Sequence, residues 1–423
     1  MTVSERRNAK RASRRLEAKT LNVNNKKDNR VQRGEGASVS NTPNRAQKKK
    51  QYLCQMKVII SGGGTGGHIF PAISIANALK EANPNIEILF VGALGKMEME
   101  KVPAAGYKIE GLPVAGFHRQ LNVRNVLRNL LFPFKLLGSL WKAGSIISDF
   151  KPDVCVGVGG YASGPVLYRA WHKGIPCLIQ EQNSFPGVTN RLLSKGVKKI
   201  CVAYPNMERF FEKDQIILTG NPVRQNLVAE IDRAEAAAEF GLDPTKKTIL
   251  VIGGSLGARS INQGIEASLG QLSDDVQLLW QTGKFYFDEI DANLQKSPKA
   301  NVAAMAFIKR MDLAYALADV VISRAGASSI SELALLGKPS ILIPSPNVSE
   351  DHQTKNARAL EERGAAIMVA DAQACEALNV AQQTLKDSDK LNLLGNNISS
   401  FARPHAASDI AREVVALCAK ESK

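Results

Sequence analysis

Two successive α/β domains, each built on a parallel sheet, are predicted for this chain of 423 residues. Three observations carry the prediction. Short apolar runs alternate with helical stretches from Met56 onward, a fresh series of such runs begins near Thr248, and the two series echo one another. Alternation on this scale suits parallel sheets covered by helices.

In the first series, the runs Lys57–Ser61, Glu87–Gly92, Val154–Val158, Cys177–Gln180, Lys199–Ala203 and Ile216–Thr219 read as buried strands. In the second, Thr248–Ile252, Val276–Trp280, Val302–Ala306, Val320–Ser323 and Ser340–Pro344 do the same. The echo is local and specific. "DVCVGVGGYASGPVLYRAWHKGIPCLI" (153–179) and "DVVISRAGASSISELALLGKPSILI" (319–343) share Asp-Val, an apolar strand, a Gly- and Ser-containing turn, a helix, Gly-x-Pro and a second strand. "VIISGGGTGG" and "LVIGGSLGA" each set a glycine loop between a strand and a helix. We therefore expect two Rossmann-like domains facing across a cleft, over 56–219 and 220–402 and joined near "TGNPVR". A helix over Ala406–Ala419, within a 403–423 segment, follows Pro404 and returns to the first domain.

Charge is unevenly placed. Residues 1–55 carry 15 Lys/Arg and 4 Asp/Glu, which leaves a globular remainder only slightly basic. The tail has almost no large apolar residues and reads as disordered. Such a tail suits binding to nucleic acid or anionic lipid, or else is a solvated extension or an over-extended start with Met56 as initiator. A near-neutral globular part does not support nucleic-acid binding. The six cysteines show no CxxC or zinc spacing, and several sit in apolar runs such as "DVCVGV". No run of ~18 apolar residues occurs, so a soluble or peripheral protein is expected.

Glycine loops between strand and helix let a phosphate approach backbone N–H groups, and a Cβ would obstruct that approach. Gly62-x-Gly64-x-x-Gly67 also satisfies a dinucleotide fingerprint, but the second strand ends "LFVGALGK" without the ribose-binding acid. Nicotinamide chemistry is disfavoured on that ground.

Seven segments, "GGGTGGHIFPA", "GVGGYASGP", "QEQNSFPGVTN", "TGNPVR", "GGSLGA", "SRAGASSISELALLGKPSILIP" and "DHQTKNA", occur in an order that resembles the bacterial peptidoglycan N-acetylglucosaminyltransferases, glycosyltransferase family 28. The resemblance runs from Met56 nearly to the C-terminus. It implies a glycosyltransferase-B fold and inverting transfer of GlcNAc from UDP-GlcNAc to undecaprenyl-diphospho-MurNAc-pentapeptide (lipid I), giving lipid II. It implies a peripheral position on the cytoplasmic face of the inner membrane, with other cell-wall and division proteins as candidate partners. No cofactor or metal is called for, because no Asp-x-Asp pair follows a strand and no metal-ligand cluster is spaced for one. A UDP-GlcNAc 2-epimerase, or another nucleotide-sugar glycosyltransferase of the same fold, is the alternative.

The site residues follow from the match. Thr65, Gly66 and Gly67 resemble the loop near the diphosphate and sugar. His68 stands where a neutral imidazole takes the acceptor hydroxyl proton, or else only hydrogen-bonds backbone or phosphate. Asn183 resembles a sugar-contacting amide, with Glu181 either orienting it or serving as the base instead. Arg224 would neutralise the leaving diphosphate or form a hinge ion pair. Ser255 would donate to a phosphate, cap a helix, or both. Ile308 resembles a position whose backbone amide and carbonyl read uracil, although periodicity alone places its side chain in a core. Ala327 and Ser328 open the next helix, and Glu332 on it accepts from the two ribose hydroxyls or acts as a capping carboxylate. Gln353 would contact GlcNAc hydroxyls. In "NVLRNLLFPFKLLGSLWKAG", Val126, Leu130, Phe134, Leu137 and Trp141 form one helical stripe with Arg124, Arg128, Lys135 and Lys142 roughly opposite. The stripe suits a membrane interface, or a core with a solvated back, and Pro133 interrupts any single helix.

Overall fold

The computed structural model describes residues 56–114, 132–223, 227, 230–254, 256–348 and 351–420. Two wholly parallel sheets organise them. The first has seven strands, β1 Lys57–Ser61, β2 Glu87–Ala93, β3 Lys108–Leu112, β4 Val154–Gly157, β5 Cys177–Glu181, β6 Lys199–Val202 and β7 Ile216–Leu218, in the order β3-β2-β1-β4-β5-β6-β7. The second has six, β8 Lys247–Ile252, β9 Val276–Gln281, β10 Val302–Met305, β11 Val320–Ser323, β12 Ser340–Leu342 and β13 Ile367–Met368, in the order β10-β9-β8-β11-β12-β13. Central strands are buried end to end, as β4 and β9 are, because helices cover both faces. Cores lie on each face of both sheets.

The sequence echo is a structural one. Asp153 Oδ2 accepts from the Lys57 amide at 2.7 Å, and Asp319 Oδ2 accepts from the Thr248 amide at 2.8 Å. Each aspartate thus ties the start of one strand to its neighbour, β4 to β1 and β11 to β8. The Pro of each Gly-x-Pro accepts in turn, with Cys155 N–H donating to Pro176 O and Val321 N–H to Pro339 O, both at 3.0 Å. In both sheets the strand order reverses beside the first strand of the series, between β1 and β4 and between β8 and β11. Ligands of open parallel sheets bind at such points, outside the carboxyl ends of the strands.

The helix Ala406–Lys420 packs on the first sheet's core through Ile410, Ala411, Val414 and Leu417, and runs against the helix Gly66–Ala82. The chain therefore passes between the two halves twice. Gly220, at φ +87°, lies so close to the returning segment that a Cβ would stand 2.3 Å from the Cβ of Arg403. Among the described residues Pro133 is the second residue of the helix Phe132–Phe150, a position that tolerates proline, and the part of the stretch before that helix lies outside them. Among the described residues, no helix is long and apolar enough to cross a membrane.

Candidate functional site

The opening glycine loop leaves β1 at the first reversal point. Its first three amides turn inward: Gly62 N–H donates to Val91 O at 3.4 Å, Gly63 N–H to Gly159 O at 3.3 Å, and Gly64 N–H to Glu98 Oε2 at 2.9 Å. The expectation that these glycines admit a phosphate needs correcting at two positions. A Cβ on Gly62 would strike Val158 and the Gly159 carbonyl, and one on Gly63 would strike the Glu98 carboxylate. Those two make room for protein. Gly64, at φ +88° with open space beside it, has the conformation that favours glycine. The amides of Thr65, Gly66 and Gly67 follow at the start of the helix Gly66–Ala82, where N–H groups lack intrahelical acceptors and the dipole favours an anion.

His68 sits in this first turn. Its Nδ1 is 3.1 Å from Thr65 Oγ1, so the threonine at the helix boundary contacts the ring instead of capping a backbone amide. The ring lies against the second loop, where a Cβ on Gly159 would be 2.9 Å from His68 Nε2. Burial holds the imidazole down to about 4, against smaller opposing effects of a Gly63 backbone hydrogen bond and the Glu98 charge, with His352 adding to the lowering. The ring is neutral at pH 7.

Glu181, at the end of β5, is buried and heavily bonded. Oε1 accepts from the Asn183 amide at 3.0 Å and from Asn183 Nδ2 at 3.3 Å. Oε2 accepts from the Gly187 amide at 3.1 Å and Asn190 Nδ2 at 2.8 Å. Burial pushes this carboxyl up despite those donors. The arrangement fixes both the backbone and the side chain of Asn183, which is half-buried at the cleft edge.

Across the cleft, the helix Ala327–Leu335 begins at the second reversal point and faces the first loop. Ser328 Oγ donates to Gly67 O at 3.5 Å. Glu332 is 8% exposed, and its Oε2 accepts from the Tyr315 hydroxyl at 3.0 Å. Ala327 is buried beneath the same helix start. Ile308 is 1% exposed, as its periodicity suggests, and its amide donates to Gln281 Oε1 at 2.9 Å. Of the two backbone groups expected to read a base, the amide is already bonded within the protein. Gln353 Oε1 accepts from the Ser345 amide at 2.9 Å, which orients its NH₂ end. Arg224 and Ser255 lie outside the described residues, as does Leu130.

Three residues here were not singled out from the sequence. Tyr315 supports Glu332, and Glu98 underlies the glycine loop. Asn356, wholly buried, accepts from Ser184 Oγ at 2.9 Å and so links "DHQTKNA" in the second half to "EQNSF" in the first. The order of the motifs pointed to these segments but not to their mutual contact.

The described part of the predicted stripe is exposed, which removes the core reading for those residues; Val126, like Leu130, lies outside the described residues. Phe134, Leu137 and Trp141 are 72%, 64% and 79% exposed on the helix Phe132–Phe150. The helix Ser163–His172 packed beside it also exposes Tyr168 and Trp171.

The comparisons agree with this architecture. Residues 58–202 match the glycosyltransferase family 28 N-terminal domain and residues 248–412 its C-terminal domain. The UDP-N-acetylglucosamine--N-acetylmuramyl-(pentapeptide) pyrophosphoryl-undecaprenol N-acetylglucosamine transferase of Phocaeicola vulgatus is 57% identical over 372 residues, covering 87% of this chain and 98% of that protein. The enzyme of the same name from Bacteroides fragilis is 55% identical over 379 residues, covering 88% and 99%. The crystal structure of Acinetobacter baumannii MurG superposes with a TM-score of 0.67 at 30% identity, covering 85% of this chain and 99% of that one. A UDP-N-acetylglucosamine 2-epimerase superposes at 0.60 with only 16% identity, which speaks to the fold alone. With both domain models matched in order and relatives more than half identical over nearly their whole length, this chain belongs to glycosyltransferase family 28.

Proposed function

We propose that this protein transfers GlcNAc, with inversion, from UDP-GlcNAc to the lipid-linked diphospho-MurNAc-pentapeptide, forming lipid II. The observation that carries the reading is the 57% identity to an enzyme named for that transfer, over 98% of its length. The cleft supplies matching chemistry. The acceptor oxygen attacks the anomeric carbon, the bond to the diphosphate oxygen breaks, and that electron pair leaves on UDP. The acceptor proton passes to His68, whose Nδ1 edge meets the exposed Thr65 hydroxyl; an incoming hydroxyl takes that place. Helix-start amides at 65–67 face developing negative charge, aided by Ser255 and Arg224. Asn183, oriented by Glu181, and Gln353 address the sugar, while Ala327, Ser328 and Glu332 address the nucleoside.

Glu181 is assigned to positioning. Four donors already occupy its oxygens, so accepting a substrate proton would break the hydrogen bonds that hold Asn183. Incubation with labelled UDP-GlcNAc, with and without the lipid acceptor, tests the transfer. Label should move to lipid only when acceptor is present; conversion of the free nucleotide sugar without it would establish the epimerase instead.

The exposed stripe is the face we assign to the cytoplasmic side of the membrane. Changing both Phe134 and Trp141 to Ser should weaken binding to anionic vesicles while the rate on a soluble acceptor analogue is kept. Lys135 and Lys142 would add about 1 kcal/mol each near such a surface, so salt should weaken binding too. Unchanged vesicle binding by the double variant would remove this face from the interface.

A further inference from the structure

Glu98 is 1% exposed, yet it carries a carboxylate directly beneath the loop that is to meet a diphosphate. The chain makes space for it from two sides. A Cβ on Gly63 would lie 2.3 Å from its carboxyl carbon, and one on Gly92 would lie 2.5 Å from its Cγ. Its two oxygens divide their work: Oε1 accepts from the Ala93 amide at 3.0 Å, at the end of β2, and Oε2 from the Gly64 amide at 2.9 Å. An apolar side chain would fill the volume without placing negative charge under an anion site. What only the carboxylate does is fasten the loop to the neighbouring strand through both oxygens.

We propose that Glu98 is a positioning residue for sugar transfer, holding Gly64 inward so that the next three amides and His68 are presented to the reacting groups. By drawing one N–H away from the cleft, it fixes where the helix-start donors point. Its charge also favours the imidazolium that His68 becomes when it takes the acceptor proton. The inference rests on the transfer reading, and the two fail differently. Absence of sugar transfer by the wild-type protein would reject that reading, whereas this proposal concerns how variants of an active enzyme behave.

Glu98→Gln preserves shape but can accept through one oxygen only, and its NH₂ would confront an N–H. It should lower kcat by about tenfold to a hundredfold, as small misplacements of reacting groups do. KM for UDP-GlcNAc should change by less than kcat, since the nucleoside contacts in the second half are untouched and the 65–67 amides matter most as charge develops on the leaving diphosphate. Gly92→Ala provides an independent route, because its Cβ displaces Glu98 from the strand side. It should reproduce the kcat loss, and the double variant should fall short of the product of the two effects. Wild-type kcat in Glu98→Gln, or a loss that in both variants follows the fraction unfolded by circular dichroism, would overturn the proposal.

Discussion

His68→Ala should lower turnover by roughly 10²–10⁴ while leaving affinity for UDP-GlcNAc nearly unchanged, the signature of a base that acts on the acceptor. The pH dependence gives the sharper check. Burial sets the free imidazole at about 4, so the acidic limb of kcat/KM that belongs to His68 should lie near there, well below an ordinary histidine. A bound diphosphate brings negative charge toward the ring and favours its protonated form, so the corresponding limb in kcat should lie higher. Both limbs should vanish in His68→Ala. An acidic limb that survives the substitution would move proton acceptance elsewhere, with Glu181 next to be tested. The same group affects stability. Its pKa is lower folded than unfolded, so the unfolded chain binds more protons between about 4 and the ordinary value of 6.5. His68 therefore contributes stability above that window, and the contribution is lost as pH falls through it.

Removing the 2′-hydroxyl from UDP-GlcNAc should lower wild-type efficiency by roughly 10- to 150-fold, because hydrogen bonds to a charged acceptor are worth about 1.5–3 kcal/mol. In Glu332→Gln that discrimination should shrink. Tyr315 gives the effect a structural reason: its hydroxyl holds Oε2, so the carboxylate meets the ribose in one orientation. Tyr315→Phe should accordingly weaken discrimination in the same direction and by less. The two donors measured on both Glu332 forms make a double-mutant cycle. Purely additive penalties would mean that Glu332 does not touch the ribose.

Most strands that sequence reading found are buried on both faces and leave an uninterrupted apolar run, such as β1, β8 and β11, and the edge strands β7 and β10 were found because their short runs are still apolar. The two it missed are edge strands. β3 reads "KIEGL" and β13 is only "IM", so neither has the run that marks a buried strand. The site was legible where a motif is contiguous, as in Thr65–His68 or Ala327–Glu332. Glu98 was not, because its burial depends on gaps left by Gly63 and Gly92, and nothing local distinguishes it from the exposed Glu100 two residues on. Asn356 and Tyr315 were hidden for the same reason: their partners are 172 and 17 residues away in sequence. The exposure of Phe134, Leu137 and Trp141 was undecidable from spacing, since a core stripe and a membrane stripe share the same period.

The contact between Gly220 and Arg403 has a mechanical consequence. Two covalent crossings lying side by side behave like the pin of a door: swinging about the line through them is easy, whereas twisting one half against the other would stretch one crossing and compress its neighbour. Opening should therefore follow a single arc, with displacement growing with distance from the pin. A bulkier residue at 220 would thicken the pin itself and bias the resting angle of the cleft without touching any group that meets substrate.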